Sequence, residues 1–452
     1  MNNQIDRRNF ISSSAAAGAG LMIANSALGQ AGGKKDINIA LLGAGAQGQV
    51  LMNAILKLGK NSGIKFRAVC DIWEKGNLRR VSRTLKAYGR LGHKGTAYVD
   101  YQEMLEKEKD LDAVLVATPD FWHAEHTIAC FEKGLHVYCE KEMSNSLEAA
   151  KNMVLAGRKA GKLLQIGHQR RSNPRYIYCN EKIIKEANLL NRITNISGQW
   201  HRSRAGCVDL GWPDGTEIPK ETLKKFGFDD MAQFRNWRWY KGLGGGPIVD
   251  LGSHQIDVYS WFLDNAVPSS VMASGGVDYW KDHEWYDNAI AIFEFPTKKG
   301  LVRASYETLT TNSSNGYYEL FMGDEGTLLI SESAGRGELY RESWVEEAKW
   351  DPWVQKGMIN LEKASAKAAV KAGDDEVDVR ESATPALYRM PIEMKDPYHQ
   401  PHLVNFFESV RGNQTLNCPG EIGYETAVMV LKVNEAIAAA RKIELKPEDF
   451  KV

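Results

Sequence analysis

Between residues 37 and 168 the chain alternates short apolar runs with longer stretches of helical periodicity. Ile37–Leu42 reads as a buried strand ending in a glycine-rich loop, and Gln49–Leu58 then reads as a helix. Phe66–Asp71 is a second strand that closes on an acid, and residues 74–87 form a charged amphipathic helix. A third strand, Ala113–Ala117, stops at Thr118-Pro119. The helix after it, about Ala124–Lys133, ends at Gly134, a C-cap residue. Leu135–Cys139 predicts a fourth strand, Leu147–Ala160 another helix, and Leu163–Gly167 a fifth strand. This β-α-β rhythm predicts an α/β domain over residues 36–170, built on a doubly wound parallel sheet.

After about residue 175 the pattern changes. Ile193–Trp200, Val271–Val277, Ala289–Phe295, Leu301–Thr308, Tyr317–Met322 and Thr327–Ser331 read as strands with few helices between them. They predict an α+β domain over residues 171–452 with a large, mostly antiparallel sheet. Helices over His402–Arg411 and Glu421–Arg441 close the chain. Residues 335–400 are charged, contain several prolines, and read as an insertion with one Ala/Lys-rich helix near 361–372.

The first 29 residues read differently. Arg7-Arg8-Asn9-Phe10-Ile11 opens a short stretch of Ala, Ile, Leu, Met, Gly and Ser, and Ala27-Leu28-Gly29 offers a cleavage site. The pattern resembles a twin-arginine signal and predicts a periplasmic protein exported already folded. An ordinary basic N-terminus with a buried first helix is the alternative. The stretch is too short and interrupted to predict stable membrane insertion.

Composition narrows the classes further. The chain carries 57 basic and 57 acidic residues, so it offers no basic field for nucleic acid. Its six cysteines are scattered with no Cys-x-x-Cys, and no metal-ligand spacing is visible. Cys70, Cys130 and Cys139 fall in apolar or helical stretches and read as buried reduced thiols.

Gly43-Ala44-Gly45-Ala46-Gln47-Gly48 lies between a strand and a helix, and Asp71 ends the next strand. That is the context of a dinucleotide site. Gly43 permits the turn, Gly45 admits the pyrophosphate, and Gly48 lets helix and strand pack closely. Asp71 can accept from the adenosine ribose hydroxyls, and its charge favours NAD over NADP. Gln47 of the loop, Thr118 and Pro119 at the third strand's end, and Trp122 and His123 beyond them are further cofactor candidates. Glu140 and Lys141 follow the fourth strand at the same sheet edge, where ligands bind in such folds.

Ala117-Thr118-Pro119-Asp120-Phe121-Trp122-His123, Glu140-Lys141 and Gly244-Gly245-Gly246-Pro247-Ile248-Val249-Asp250-Leu251-Gly252-Ser253-His254 together resemble the glucose–fructose oxidoreductase/inositol dehydrogenase (Gfo/Idh/MocA) family. Gly167-His168-Gln169-Arg170-Arg171 and Asn236-Trp237-Arg238-Trp239-Tyr240 resemble its exported, sugar-handling branches. The resemblance implies a bound NAD, a carbohydrate substrate, a homo-oligomer (dimer or tetramer), and Lys141, Asp250 and His254 as the catalytic set. Glu142 departs from the family's pattern, which has proline there, and could draw the Lys141 ammonium aside.

The chemistry suits these residues on its own terms. Removing hydride from a secondary alcohol leaves a proton that a histidine can take. A lysine ammonium stabilises the developing alkoxide. Asp250 and His254, four apart, share a helix face, so the carboxylate is expected to orient the imidazole. Arg170, His201, Trp237 and Tyr286 are substrate-contact candidates. For Arg170 an ion pair with a domain-interface acid is an equal alternative, and for His201 and Tyr286 structural roles are the stronger reading. His399 and His402 precede a helix and read as capping or surface residues.

The resulting expectation is an NAD-dependent oxidoreductase acting on a sugar or glycoside ring hydroxyl, at C3, with a tightly held cofactor that a second sugar resets. Export favours such a closed cycle. The alternative is a glycosidase that oxidises C3, eliminates the glycosidic oxygen, adds water and returns the hydride. It needs a further base at C2, which residues near His201 or Tyr286 would supply. A non-catalytic NAD-binding sensor is the third reading.

Overall fold

In the computed structural model, residues 35–333, 335–362 and 384–452 are described. The leader and most of the helix expected near 361–372 lie outside them. The first sheet contains β1 (Ile37–Leu42), β2 (Ile64–Cys70), β3 (Thr96–Tyr98), β4 (Ala113–Val116), β5 (His136–Cys139) and β6 (Leu164–Ile166). Its strands are all parallel, in the order β3-β2-β1-β4-β5-β6. Helices cover both faces, which is why β4 is buried at every position and carries no polar alternation. The five expected strands are present. The additional one, β3, has only three residues, mostly exposed, and so carries no apolar signature.

The reversal of strand order beside β1 places the glycine loop between β2 and β4, at the carboxyl edge of the sheet. Gly43 has φ +96°, and a Cβ there would lie 2.5 Å from the Ala117 carbonyl carbon. A Cβ on Gly48 would fall 2.0 Å from the Gly43 oxygen. Both positions therefore exclude any side chain.

The second sheet contains β7 (Ile193–His201), β8 (Ser270–Gly276), β9 (Asn288–Thr297), β10 (Gly300–Leu309), β11 (Tyr317–Gly323), β12 (Gly326–Ile330), β13 (Gly337–Arg341), β14 (Asn360–Leu361), β15 (Ala386–Arg389) and β16 (Ile443–Glu444). The order is β14-β15-β13-β12-β11-β7-β10-β9-β8-β16. It is antiparallel except where β10 pairs with β7 in parallel. The chain between β7 and β10 must cross over to make that pairing. Part of the expected insertion is structural, since β13, β14 and β15 extend the sheet.

Along β9 and β10 every second residue faces the core, and the helices Gly246–Phe262 and Gly420–Ala439 pack on that side. The helix Gly246–Phe262 is buried at nearly every position. A Cβ on Gly252 would lie 2.9 Å from the Tyr306 ring, so this helix sits very close to the sheet. Pro247 begins it, where a missing N–H costs nothing. Its first three turns carry Asp250 and His254 into a cavity that Gln47 of the glycine loop also lines.

Candidate active site

Two cavities meet at the carboxyl edge of the first sheet. The first is lined by Gly43, Gly45, Gln47, Asp71, Thr118 and Pro119, among others. Gly45 precedes the first helix, Ala46–Leu58, with no side-chain cap and no acid in its first turn. Its terminal N–H groups are therefore available to an anion. A Cβ on Gly45 would meet nothing nearer than Asn77 Nδ2 at 3.9 Å, so the loop backbone borders open space. These features fit a dinucleotide pyrophosphate.

Asp71 lines the same groove. Its Oδ2 accepts from Ala44 N–H and its Oδ1 from Trp73 N–H, both at 2.8 Å. Burial pushes its carboxyl up to about 6, against the pull of those bonds. It braces the loop from within the groove.

A cap crosses this groove. Ile218, Leu223, Phe226, Phe228, Met231 and Trp237 form an apolar cluster with Trp73, packed against Phe121 and Trp122. Trp73 Nε1 donates to the Thr216 oxygen at 2.6 Å on the β2 side. Trp122 Nε1 donates to the Phe226 oxygen at 3.0 Å on the β4 side. The cap is thus fastened on both flanks of the glycine loop.

The second cavity, of about 400 Å3, is lined by Trp200, Arg202, Asp250, His254, Tyr317 and Glu332, among others. Trp200 stacks on Tyr317 with ring centroids 4.5 Å apart and forms an aromatic wall. Gln47, Glu140, Lys141, Leu210, Arg235 and Arg238 line both cavities. Lys141 therefore stands where a cofactor in the first would meet a ligand in the second.

Lys141 Nζ donates to Asp250 Oδ1 at 2.9 Å and to the Asp250 carbonyl oxygen. Arg238 Nε lies 3.2 Å from Asp250 Oδ2. Burial works to raise the Asp250 pKa, but Lys141, Arg238 and Arg202 together hold it well below the usual carboxylate range. Asp250 thus aims the lysine. It does not orient His254, because both its oxygens are committed to cations. His254 is buried beside Trp200, with ring centroids 5.6 Å apart. Its Nδ1 is enclosed without a partner. Burial, then the Lys141 charge, pushes its pKa well down, so the ring is neutral at neutral pH.

Glu142 does not capture Lys141. The Lys141–Glu142 peptide is cis, and the Glu142 carboxyl is fully buried, with Oε1 accepting from Met143 N–H at 2.6 Å.

Several expected contacts fall elsewhere. Trp122 lines the cofactor groove, whereas His123 lies beneath it, its ring nitrogens 2.7 Å from the carbonyl oxygens of Glu142 and Thr118. It ties the two loops together. Arg170 is fully buried in an ion pair with Glu319 and, at 3.1 Å, Glu332, so it cannot hold a sugar. His201 pairs with Glu307 at 2.6 Å and lines neither cavity. Trp237 faces the cofactor groove and carries the Arg238 guanidinium 4.3 Å over its ring. Tyr286 lines neither cavity and lies against Trp285. His402 is buried, bonded to Ser172 Oγ at 2.6 Å and the Ile166 oxygen at 2.9 Å.

Others were missed. Asp120 lines the groove, where burial and the neighbouring Asp250 raise its carboxyl to about 7. Arg238 and Glu332 reach the second cavity, and so does His399, whose side chain caps no helix. The arginine between the two tryptophans of Trp237-Arg238-Trp239 was the available signal for Arg238; nothing local marks His399.

Two models of one family match the chain. "Oxidoreductase family, NAD-binding Rossmann fold" matches residues 37–168, and "GFO/IDH/MocA C-terminal domain" matches 223–329, together more than half of the chain. A D-glucoside 3-dehydrogenase of Escherichia coli (strain K12) is 27% identical over 52% of this chain and 57% of its own length. An inositol 2-dehydrogenase of Rubrobacter xylanophilus is 27% identical over 67% of this chain and 74% of its own. The chain spans about half the length of the first curated relatives it matches. Among solved structures, a levoglucosan dehydrogenase in complex with NADH and L-sorbose superposes with a TM-score of 0.65 at 15% identity, covering 91% of this chain and 99% of that one. Its two matched domains, its six-stranded parallel sheet and its glycine loop place this chain in the Gfo/Idh/MocA family, with an NAD-binding Rossmann domain at residues 37–168.

Proposed function

We propose that this protein is an NAD-dependent oxidoreductase that oxidises a secondary ring hydroxyl of a sugar or glycoside, at C3, and retains its cofactor between turnovers. The meeting of the two cavities at Lys141, with His254 on the substrate side, carries the reading. Bound NAD supplies the hydride acceptor. Lys141, aimed by Asp250, donates to the reacting oxygen and stabilises its developing charge. His254, neutral in its buried position, takes the proton. The Trp200–Tyr317 wall gives the apolar face of a sugar ring a surface. Likeness to a D-glucoside 3-dehydrogenase supports the choice of C3. The acidic side chain of Asp71 in the cofactor groove supports NAD over NADP.

The cap's two-sided fastening supports cofactor retention. The proposal includes export through the paired arginines at 7 and 8, and resetting by a second sugar. It also includes a homo-oligomer through the outer face of the second sheet, where Met272, Ile290, Ile292 and Leu301 are exposed together. A glycosidase needs a base for C2, and neither His201 nor Tyr286 lines the cavity. This favours the oxidoreductase. Retention of Lys141, Asp250 and His254 in one cavity disfavours a non-catalytic sensor.

Denaturing the purified protein should release NAD or NADH in near-stoichiometric amount. The native enzyme, given a glycoside panel, should then form a keto-sugar and bound NADH that a second sugar reoxidises. Free aglycone without net redox change would replace this reading with the glycosidase.

A further inference from the structure

His399 lies in the second cavity, yet the reaction proposed above gives it no task. It directly precedes the helix Gln400–Val410, which packs on the first helix of the Rossmann domain. Gln400 Nε2 donates to the Ala54 oxygen at 2.8 Å and pins this junction. The ring is held as well: His399 Nε2 lies 2.9 Å from Gln47 Nε2. A side chain fixed this way can present a defined atom to a ligand.

The polarity of that contact follows from its neighbours. Gln47 Nε2 also lies 2.9 Å from Glu140 Oε1, and the buried Tyr138 hydroxyl donates to the same oxygen at 3.2 Å. Glu140 Oε1 is thus an acceptor, so the amide nitrogen of Gln47 faces it and gives it one hydrogen. The second hydrogen of that nitrogen points to His399 Nε2, which must present a lone pair. An imidazole with a lone pair on Nε2 carries its hydrogen on Nδ1. Among the described residues, none accepts from His399 Nδ1. That donor is left for whatever occupies the cavity.

We propose that His399 determines specificity by presenting Nδ1–H as a fixed donor to an oxygen of the bound substrate, its tautomer set by Glu140 through Gln47. The proposal rests on reading the second cavity as a sugar site. It also removes His399 as a candidate for the missing C2 base. The only lone pair of its ring already faces Gln47.

Two measurements on the holoenzyme test this. Two-bond 15N–1H correlation spectra of 15N-histidine-labelled protein, with His399 assigned against His399→Asn, should show the Nδ1–H pattern. Kinetics of bound-NADH formation should then be compared for methyl β-D-glucopyranoside and its monodeoxy analogues. The wild type should lose about tenfold in kcat/KM on the one analogue that lacks the acceptor oxygen. His399→Ala should lose about tenfold on the parent glycoside and nothing further on that analogue. His399→Asn, whose amide nitrogen can stand where Nδ1 stands, should recover most of the loss. An Nε2–H pattern in an active enzyme overturns the donor role alone, as does a His399→Ala variant that discriminates among deoxy analogues like the wild type. A holoenzyme that forms no NADH with any glycoside overturns the sugar reading and the donor role together.

Discussion

Glu142 stands in the wall of the first domain with no ion-pair partner among the described residues. It is fully buried, its Oε1 takes the Met143 N–H, and its Oε2 has no partner. Burial pushes its carboxyl from 4.5 up to about 8; the Met143 bond and the Lys141 charge oppose this and the Asp120 charge adds to it. Between those pH values the folded chain keeps a proton that the unfolded chain has lost. Stability therefore falls as pH rises, by about 1.4 kcal/mol per unit. The accumulated loss is about 1 kcal/mol at pH 5 and about 3 kcal/mol at pH 7. Glutamine has the shape of the protonated acid and cannot ionise, so Glu142→Gln should recover the loss. Thermal melts of the two proteins, each with cofactor bound, should differ little at pH 5. At pH 7 the variant should melt higher, by about 2–4 °C per kcal/mol recovered. An equal gap at both pH values, or a variant that melts lower at pH 7, would refute the assignment of a protonated, buried carboxyl.

His254→Ala should lower kcat by about 10²–10⁴-fold while released NAD stays stoichiometric, and surviving turnover would remove His254 as the proton acceptor. Arg170→Leu strands the buried carboxylates of Glu319 and Glu332. It should cost about 3–5 kcal/mol at pH 7, read as a lower Tm, and less at pH 5, where the freed acids take up protons. Phe226→Ala opens the cap cluster beside Trp122. The variant should emerge from gel filtration with markedly less NAD than the wild type; full retention would place the cofactor's hold elsewhere.

The first domain was legible because its determinants are local. Gly43, Gly45, Gly48 and Asp71 fall at fixed offsets from strands whose apolar runs are continuous. β3 escaped notice because three mostly exposed residues carry no period, and β15 because it lies within a charged, proline-containing stretch. Lys141, Asp250 and His254 come together because a helix and a strand end present them, both visible as patterns. Partners within the site were another matter. That Asp250 serves Lys141 and not His254 depends on how the side chains turn within a shared helix face, which spacing does not specify. Arg170 follows a strand at the ligand-binding edge, yet two glutamates from the second sheet enclose it. His399 enters the cavity from a segment about 350 residues beyond Gln47, a separation no local pattern bridges.

The cap contributes Leu210, Arg235 and Arg238 to both cavities. Lifting it to exchange cofactor would therefore dismantle the second cavity, the proposed sugar site. If the cofactor is retained as proposed, one chamber must serve the molecule that gives hydride and the molecule that receives it, each entering only after the other has left. Double-reciprocal plots at several fixed concentrations of the second sugar should then run parallel, the signature of ping-pong turnover. Each sugar should also inhibit competitively when it crowds the chamber in the wrong half-cycle.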